Sequence, residues 1–179
     1  MRVISGIAKG RKLIPLPGND VRPTTDKVKE AVFSAIQFDI EGRRFLDLFA
    51  GSGQMGLEAL SRGAVSAVFV DSSQESLKIT KENVAACKFE DCSKIVRSDA
   101  LSYLAMTNET FDIAFLDPPY KAGLLDKALA LLSEKMSNFG IIICEHPPEV
   151  SLPEEVAQFK VFKKYRYGKI NVTTYKKEI

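Results

Sequence analysis

The stretch Asp47-Leu48-Phe49-Ala50-Gly51-Ser52-Gly53-Gln54-Met55-Gly56 carries the fold signal of this 179-residue chain. An apolar run, Phe45–Phe49, leads into Gly51, Gly53 and Gly56, and a helix is expected over Gly53–Arg62, ending near Gly63. A GxGxxG turn between a strand and a helix lets a ligand approach the backbone at a helix N-terminus. Alone the pattern is weak, because a glycine-rich turn also serves close helix–sheet packing. Asp71 strengthens it. It stands twenty residues after Gly51, at the end of the next apolar run, Ala67–Val70, where a carboxylate could accept hydrogen bonds from both ribose hydroxyls. A nucleoside-containing cofactor is the expectation.

Outward from this turn the chain alternates. Gln74–Lys88 reads as a helix capped by Ser73, Lys94–Arg97 as a strand, and a short helix carries Leu101 and Leu104. Ile113–Leu116 is a strand, Leu124–Met136 a helix and Ile141–Cys144 a strand. Such alternation predicts a parallel sheet covered on both faces, a doubly wound α/β fold. Phe159–Tyr167 and Ile170–Tyr175 around Gly168 read as a closing hairpin at one sheet edge. Upstream, Val3–Ile7 and Lys12–Leu16 flank Ala8-Lys9-Gly10-Arg11, the pattern of a short β-hairpin. This divides the chain into a basic N-terminal hairpin, 1–20, and a main domain, 21–179. The main domain opens on a helix with Thr25 as N-cap, Asp26 in its first turn and a stripe of Val28, Ala31, Val32, Ala35 and Ile36.

Composition excludes several classes. Apolar residues make up 45% and charged residues 27%, a globular balance. The longest apolar runs fall far short of the roughly 20 residues of a membrane span, and the N-terminus lacks a secretory apolar core. Three cysteines (Cys87, Cys92, Cys144) without a CxxC pair, and a single histidine, argue against a disulfide framework or a zinc site. A cytoplasmic monomer without metal is expected. His146 reads as a loop residue rather than a general base. The net charge of +2 hides an asymmetry: residues 1–30 carry +4, residues 160–179 carry +6 and the middle −8. Basic ends around an acidic centre suit a body that does chemistry and edges that touch a polyanion, although solvated termini gather lysines too.

Asp47 narrows the cofactor. A dinucleotide turn usually has an apolar residue there, whereas an acid can hold a cationic amino group such as that of S-adenosylmethionine. Asp99, in Ser98-Asp99-Ala100, could accept from an adenine amine; its plainer role is a turn or cap. The next strand ends in Asp117-Pro118-Pro119-Tyr120. Two prolines make a stiff loop, placed by topology at the same crevice as the glycine turn. An aspartate and a proline carbonyl can accept from an NH2 group, while a tyrosine offers a face for a flipped base.

Asp47–Gly56, Asp71, Asp99 and Asp117–Tyr120 resemble the motif series of class I S-adenosylmethionine-dependent methyltransferases, and Asp-Pro-Pro-Tyr is similar to the motif of those acting on exocyclic base amines. With Ser5-Gly6, Lys9–Leu13, Arg22–Asp26 and Tyr167-Gly168, nearly the whole chain resembles the RsmD family, bacterial enzymes that methylate the N2 amine of one guanine in 16S ribosomal RNA. Ser5 and Lys9 stand where that family more often has glycine and arginine. The resemblance implies a seven-stranded Rossmann-like sheet, and cofactor contacts from Arg22, Thr24, Thr25, Asp47, Phe49, Gly51, Gly53, Asp71, Ser72, Asp99 and Ala100. It further implies chemistry at Asp117, Pro118, Pro119 and Tyr120, and RNA contact by Arg2, Lys9, Arg11 and Lys12. The RNA would be met either free or within the assembled small subunit. An adenine-N6 methyltransferase acting on DNA or RNA remains an alternative, since the same loop serves both amines. A NAD(P)-dependent oxidoreductase leaves Asp47, the Asp-Pro-Pro-Tyr loop and the basic ends unexplained. A noncatalytic RNA-binding module leaves the intact set of acceptors unexplained.

Overall fold

A computed structural model describes residues 1–18, 25–121 and 123–177. Helices α1 (Asp26–Ala35), α2 (Gln54–Ser61), α3 (Gln74–Cys87), α4 (Ala100–Met106) and α5 (Leu124–Ser133) alternate with strands β1 (Arg44–Asp47), β2 (Ser66–Asp71), β3 (Ser93–Arg97), β4 (Phe111–Leu116) and β5 (Met136–His146). Strands β6 (Glu155–Val156), β7 (Phe159–Tyr167) and β8 (Ile170–Lys177) follow. All join one sheet, ordered β3-β2-β1-β4-β5-β8-β7-β6. The first five strands pair in parallel and the last three antiparallel. This is the doubly wound, mostly parallel fold expected. Its order reverses between β1 and β4, the switch point where such sheets open a crevice.

The strand count differs from expectation. Among the described residues the sheet has eight strands rather than seven; the additional one, β6, is two residues long and too short to leave an alternating pattern. Helix α5 also stops at Ser133, three residues before the expected Met136. Met136 already pairs with Phe111, so long-range pairing to β4 overrides the local helical pattern there.

Alternate strand residues build two cores. Phe45, Phe69, Ile113, Phe115, Ile141 and Ile143 pack with Val32 and Phe33 of α1, Leu57 of α2 and Val84 of α3. Leu46, Val68, Ala114, Leu116, Ile142 and Cys144 point the other way, onto Leu104 of α4 and Leu125, Leu129 and Leu132 of α5. Each buried Phe or Leu contributes roughly 1.5–3 kcal/mol by leaving water. Local chemistry sets the helix starts: the Thr25 hydroxyl accepts from the Val28 amide (3.3 Å) and the Ser73 hydroxyl from the Ser76 amide (3.2 Å).

The N-terminal segment makes one antiparallel bridge, Arg2 with Lys12, tightened by Val3 N donating to the Arg11 carbonyl (2.9 Å) and Leu13 N to the Met1 carbonyl (2.9 Å). Its Val3, Ala8 and Leu13 belong to the first core. Ile4 N and Ser5 N donate to the buried Glu58 carboxylate, and the Asn83 side chain clasps both the amide and the carbonyl of Ile14. Lys29, fully buried, donates to the Arg2 carbonyl (2.6 Å) and sits 3.8 Å from Glu58. Gly6 (φ +86°) lies so close that a Cβ would stand 1.8 Å from the Ser61 carbonyl oxygen, which only glycine permits. The segment is thus clamped along α2.

Candidate active site

A cavity of about 610 Å³ opens at the carboxyl ends of the central strands. Its floor is acidic. Asp47, the last residue of β1, is buried, and its Oδ2 accepts from the Gly56 amide in the first turn of α2 (3.0 Å). That bond supplies a cap which the N-terminal Gly53 (φ +82°) cannot provide, since glycine has no side chain. Burial pushes the Asp47 carboxyl up to about 7; the Gly56 amide opposes the rise and the Asp71 charge adds to it.

Asp71, closing β2, accepts from Gly51 N through Oδ2 (2.9 Å) and from Ser73 N through Oδ1 (2.9 Å). Each oxygen keeps a further lone pair and Asp71 lines the cavity, so it can accept from a ribose diol. Asp99 is the N-cap of α4, its Oδ1 accepting from Ser102 N (2.9 Å), so the plainer role is realised while the residue also lines the cavity. Hydrogen bonds from Ser102 hold its carboxyl below the usual range. Phe49, Gly51, Ser72 and Ala100 line the same cavity.

Two expected cofactor residues do not line it. Gly53 is buried behind the turn, where a Cβ would approach Thr80 Cγ2 at 3.0 Å, and Thr25 serves as the α1 cap. Arg22 and Thr24 lie outside the described residues.

The Asp117–Tyr120 loop forms the opposite wall. Asp117 is half-buried, and Pro118 is buried behind it. Burial first, then the charges of Glu145 and Asp47, push the Asp117 carboxyl well above its ordinary value. Tyr120 is 67% exposed and lines the cavity, where a planar base could stack on its ring. Arg2, Lys9, Arg11 and Lys12 are all exposed on the N-terminal segment, and Arg2 lies 3.8 Å from Asp26.

Sequence reasoning missed several lining residues. Met1, Pro15 and Leu16 bring the N-terminal segment to the cavity rim, and Glu145 brings a fifth acid from β5. A charged residue directly after the apolar Ile141–Cys144 run was the available signal. His146 corrects the reading as a loop residue: it ends β5, buried. Its Nδ1 lies 3.0 Å from the Pro147 carbonyl and its Nε2 2.8 Å from Thr173 Oγ1. A carbonyl only accepts, so Nδ1 carries the proton and Nε2 accepts from the hydroxyl; burial lowers the ring's proton affinity further.

Comparison with known proteins agrees with this geometry. YlbH of Bacillus subtilis, which carries the name of an rRNA methyltransferase, is 44% identical over 182 residues, covering 99% of each chain. Ribosomal RNA small subunit methyltransferase D of Escherichia coli K12 is 34% identical, over 99% of this chain and 90% of that one. The solved structure of yhhF from Escherichia coli, described as a methyltransferase, superposes with a TM-score of 0.89 at 34% identity, over 99% of this chain and 98% of that one. A family model described as Conserved hypothetical protein 95 matches residues 1–176, nearly the full length. Matched over nearly its full length, the chain belongs to that family, the RsmD family of class I methyltransferase folds.

Proposed function

We propose that this protein transfers a methyl group from S-adenosylmethionine to the exocyclic N2 amine of a guanine in 16S ribosomal RNA. The observation that carries this reading is the Asp117–Tyr120 loop facing the Asp47–Gly51 turn across one acidic cavity. The acceptor set suits the cofactor: Asp47 would hold the amino group and Asp71 the ribose, with Phe49, Asp99 and Ala100 left for the adenine. When bound, S-adenosylmethionine supplies an electrophilic methyl on a sulfonium, and no covalent enzyme intermediate is needed.

The chain's own groups act on the amine. Its lone pair is delocalised into the ring, so it is a poor nucleophile. Hydrogen bonds from the amine to Asp117 and to the Pro118 carbonyl favour a pyramidal nitrogen and stabilise the positive charge that develops on it. Tyr120 holds the base by stacking, which converts encounter into alignment. The methyl–sulfur bond would break as the nitrogen–carbon bond forms, leaving a neutral thioether, and the amine sheds one proton. Asp117, whose proton affinity is raised by burial and by neighbouring acids, accepts it and returns it to solvent. The exposed Arg2, Lys9, Arg11 and Lys12 contact RNA phosphates next to the rim that Met1, Pro15 and Leu16 form.

The test is mass spectrometry of small-subunit ribosomal RNA from cells with and without the gene. Loss of one N2-methylguanine is the expected result. Loss of an N6-methyladenine would transfer the reading to adenine, and an unchanged methylation pattern would refute it.

A further inference from the structure

Glu145 enters the chemistry above only through its charge on Asp117, yet its position is specific. In the parallel pairing of β4 with β5, Leu116 lies opposite Cys144. Asp117, the first residue past β4, and Glu145 of β5 each follow this last pair directly, and the Glu145 charge acts on the Asp117 carboxyl. Glu145 continues the row Ile141, Ile143 of β5, and Asp117 follows the row Ile113, Phe115 of β4, the two rows that face the first core. Glu145 is 4% exposed and lines the cavity beside Asp117, Pro118 and Tyr120.

Two neighbouring carboxylates, Glu145 buried and Asp117 half-buried, repel, and the Glu145 charge adds to the rise in Asp117 proton affinity. A ligand that presents donors to both would relieve that repulsion. The two purines differ at the atom next to their amines. Guanine has a ring N1–H beside the N2 amine, two adjacent donors. Adenine has an N1 lone pair beside its N6 amine, which would face a carboxylate acceptor to acceptor.

Resting on the base-amine reading of the site, we propose that Glu145 reads the base, accepting guanine N1–H while Asp117 holds the amine, and so excludes adenine. Attraction to one base and repulsion of the other come from the same carboxylate.

The probe is an RNA made by splinted ligation with guanine or 2-aminopurine at the methylated position, once mass spectrometry has located it. 2-Aminopurine keeps the 2-amino group but has no N1–H. The parent protein should methylate guanine on the order of 100-fold faster, because a site built to bind a donor rejects an analogue that lacks it. Glu145→Gln keeps the shape and can turn its amide to donate to a bare N1. It should lower the guanine rate and compress the preference to within about tenfold. Calorimetry with S-adenosylmethionine checks that the variant is folded, and the parent's own preference decides the matter if it is not. Equal parental rates on the two RNAs, or an unchanged preference in Glu145→Gln, would overturn the role of Glu145 while leaving amine methylation standing. No methylation of the guanine RNA by the parent protein would overturn both.

Discussion

Asp47→Asn should make the protein more stable and bind its cofactor less well. Asparagine has nearly the same shape, and its side-chain oxygen can keep the bond from Gly56 N, now 3.0 Å. What it removes is a buried charge. The Asp47 carboxyl rises from 3.8 to about 7 on folding, a difference that corresponds to roughly 4 kcal/mol. Because the folded value is raised, the stabilising contribution is complete below about pH 4 and is lost as pH rises through about 7. At pH 8 the parent therefore carries an ionised, buried aspartate, and the variant does not. Scanning calorimetry at pH 8 should find the variant more stable by about 2–4 kcal/mol, a Tm gain on the order of 5–10 °C for a domain of this size. The cofactor's amino group needs the ionised form. Titration calorimetry should thus find the parent's affinity for S-adenosylmethionine about tenfold weaker at pH 6 than at pH 8, following the ionised fraction of a group near 7. The variant should lose that slope and bind roughly 10–100-fold more weakly at pH 8, the scale of a hydrogen bond to a charged group. A variant that is less stable at pH 8, and binds with the parent's affinity and pH slope, would refute the assignment.

Tyr120→Ala should cost roughly 1–3 kcal/mol of base stacking, read as weaker RNA binding, and Tyr120→Phe should restore most of it. A phenylalanine variant as impaired as the alanine one would show that the hydroxyl, not the ring, is the working part. Replacing Lys9 and Arg11 by glutamine should flatten the log–log salt dependence of RNA binding by roughly 0.7–0.9 for each phosphate that is no longer neutralised, with cofactor affinity unmoved. An unaltered slope would make these residues a solvated edge. Gly6→Ala should detach the N-terminal segment from α2, since its Cβ would stand 1.8 Å from the Ser61 carbonyl oxygen. Amide exchange at Ile7 and Ala8, whose amides now bond Ser61, should accelerate; unchanged protection there would contradict the clamp.

The parts of this molecule legible in its sequence are those encoded locally. Gly51 to Gly56 announce the turn because a strand, a glycine spacing and a helix lie close together along the chain. Ser73 and Thr25 announce their helices because a cap bonds an amide three residues on. Asp71 and Asp117 are readable as strand-end acceptors for the same reason. What escapes depends on contacts between distant segments. Glu58 and Ser61 are polar residues of α2, yet both are buried, because the N-terminal segment, more than fifty residues earlier, donates to them. Asp47 is readable as an acid in the site, but not as the cap of α2, because its partner amide lies across the glycine turn. Glu145 joins Asp117 only through the pairing of β5 with β4, which no spacing in the sequence reveals. The end of α5 escapes for the same reason: the pairing of Met136 with Phe111 is a tertiary fact.

The central claim is that this cavity methylates a base amine held by Asp117. Single-turnover methylation of small-subunit ribosomal RNA, with saturating S-adenosylmethionine and either the parent protein or Asp117→Ala, tests it most directly. The expected result is a rate lower by on the order of 100–1,000-fold, the scale of removing one preorganised polar group from an active site. Cofactor affinity by calorimetry should change by less than about 1 kcal/mol, because a group that acts mainly in the transition state adds little to ground-state binding. A near-parental rate from Asp117→Ala would contradict the account, whatever its cofactor affinity.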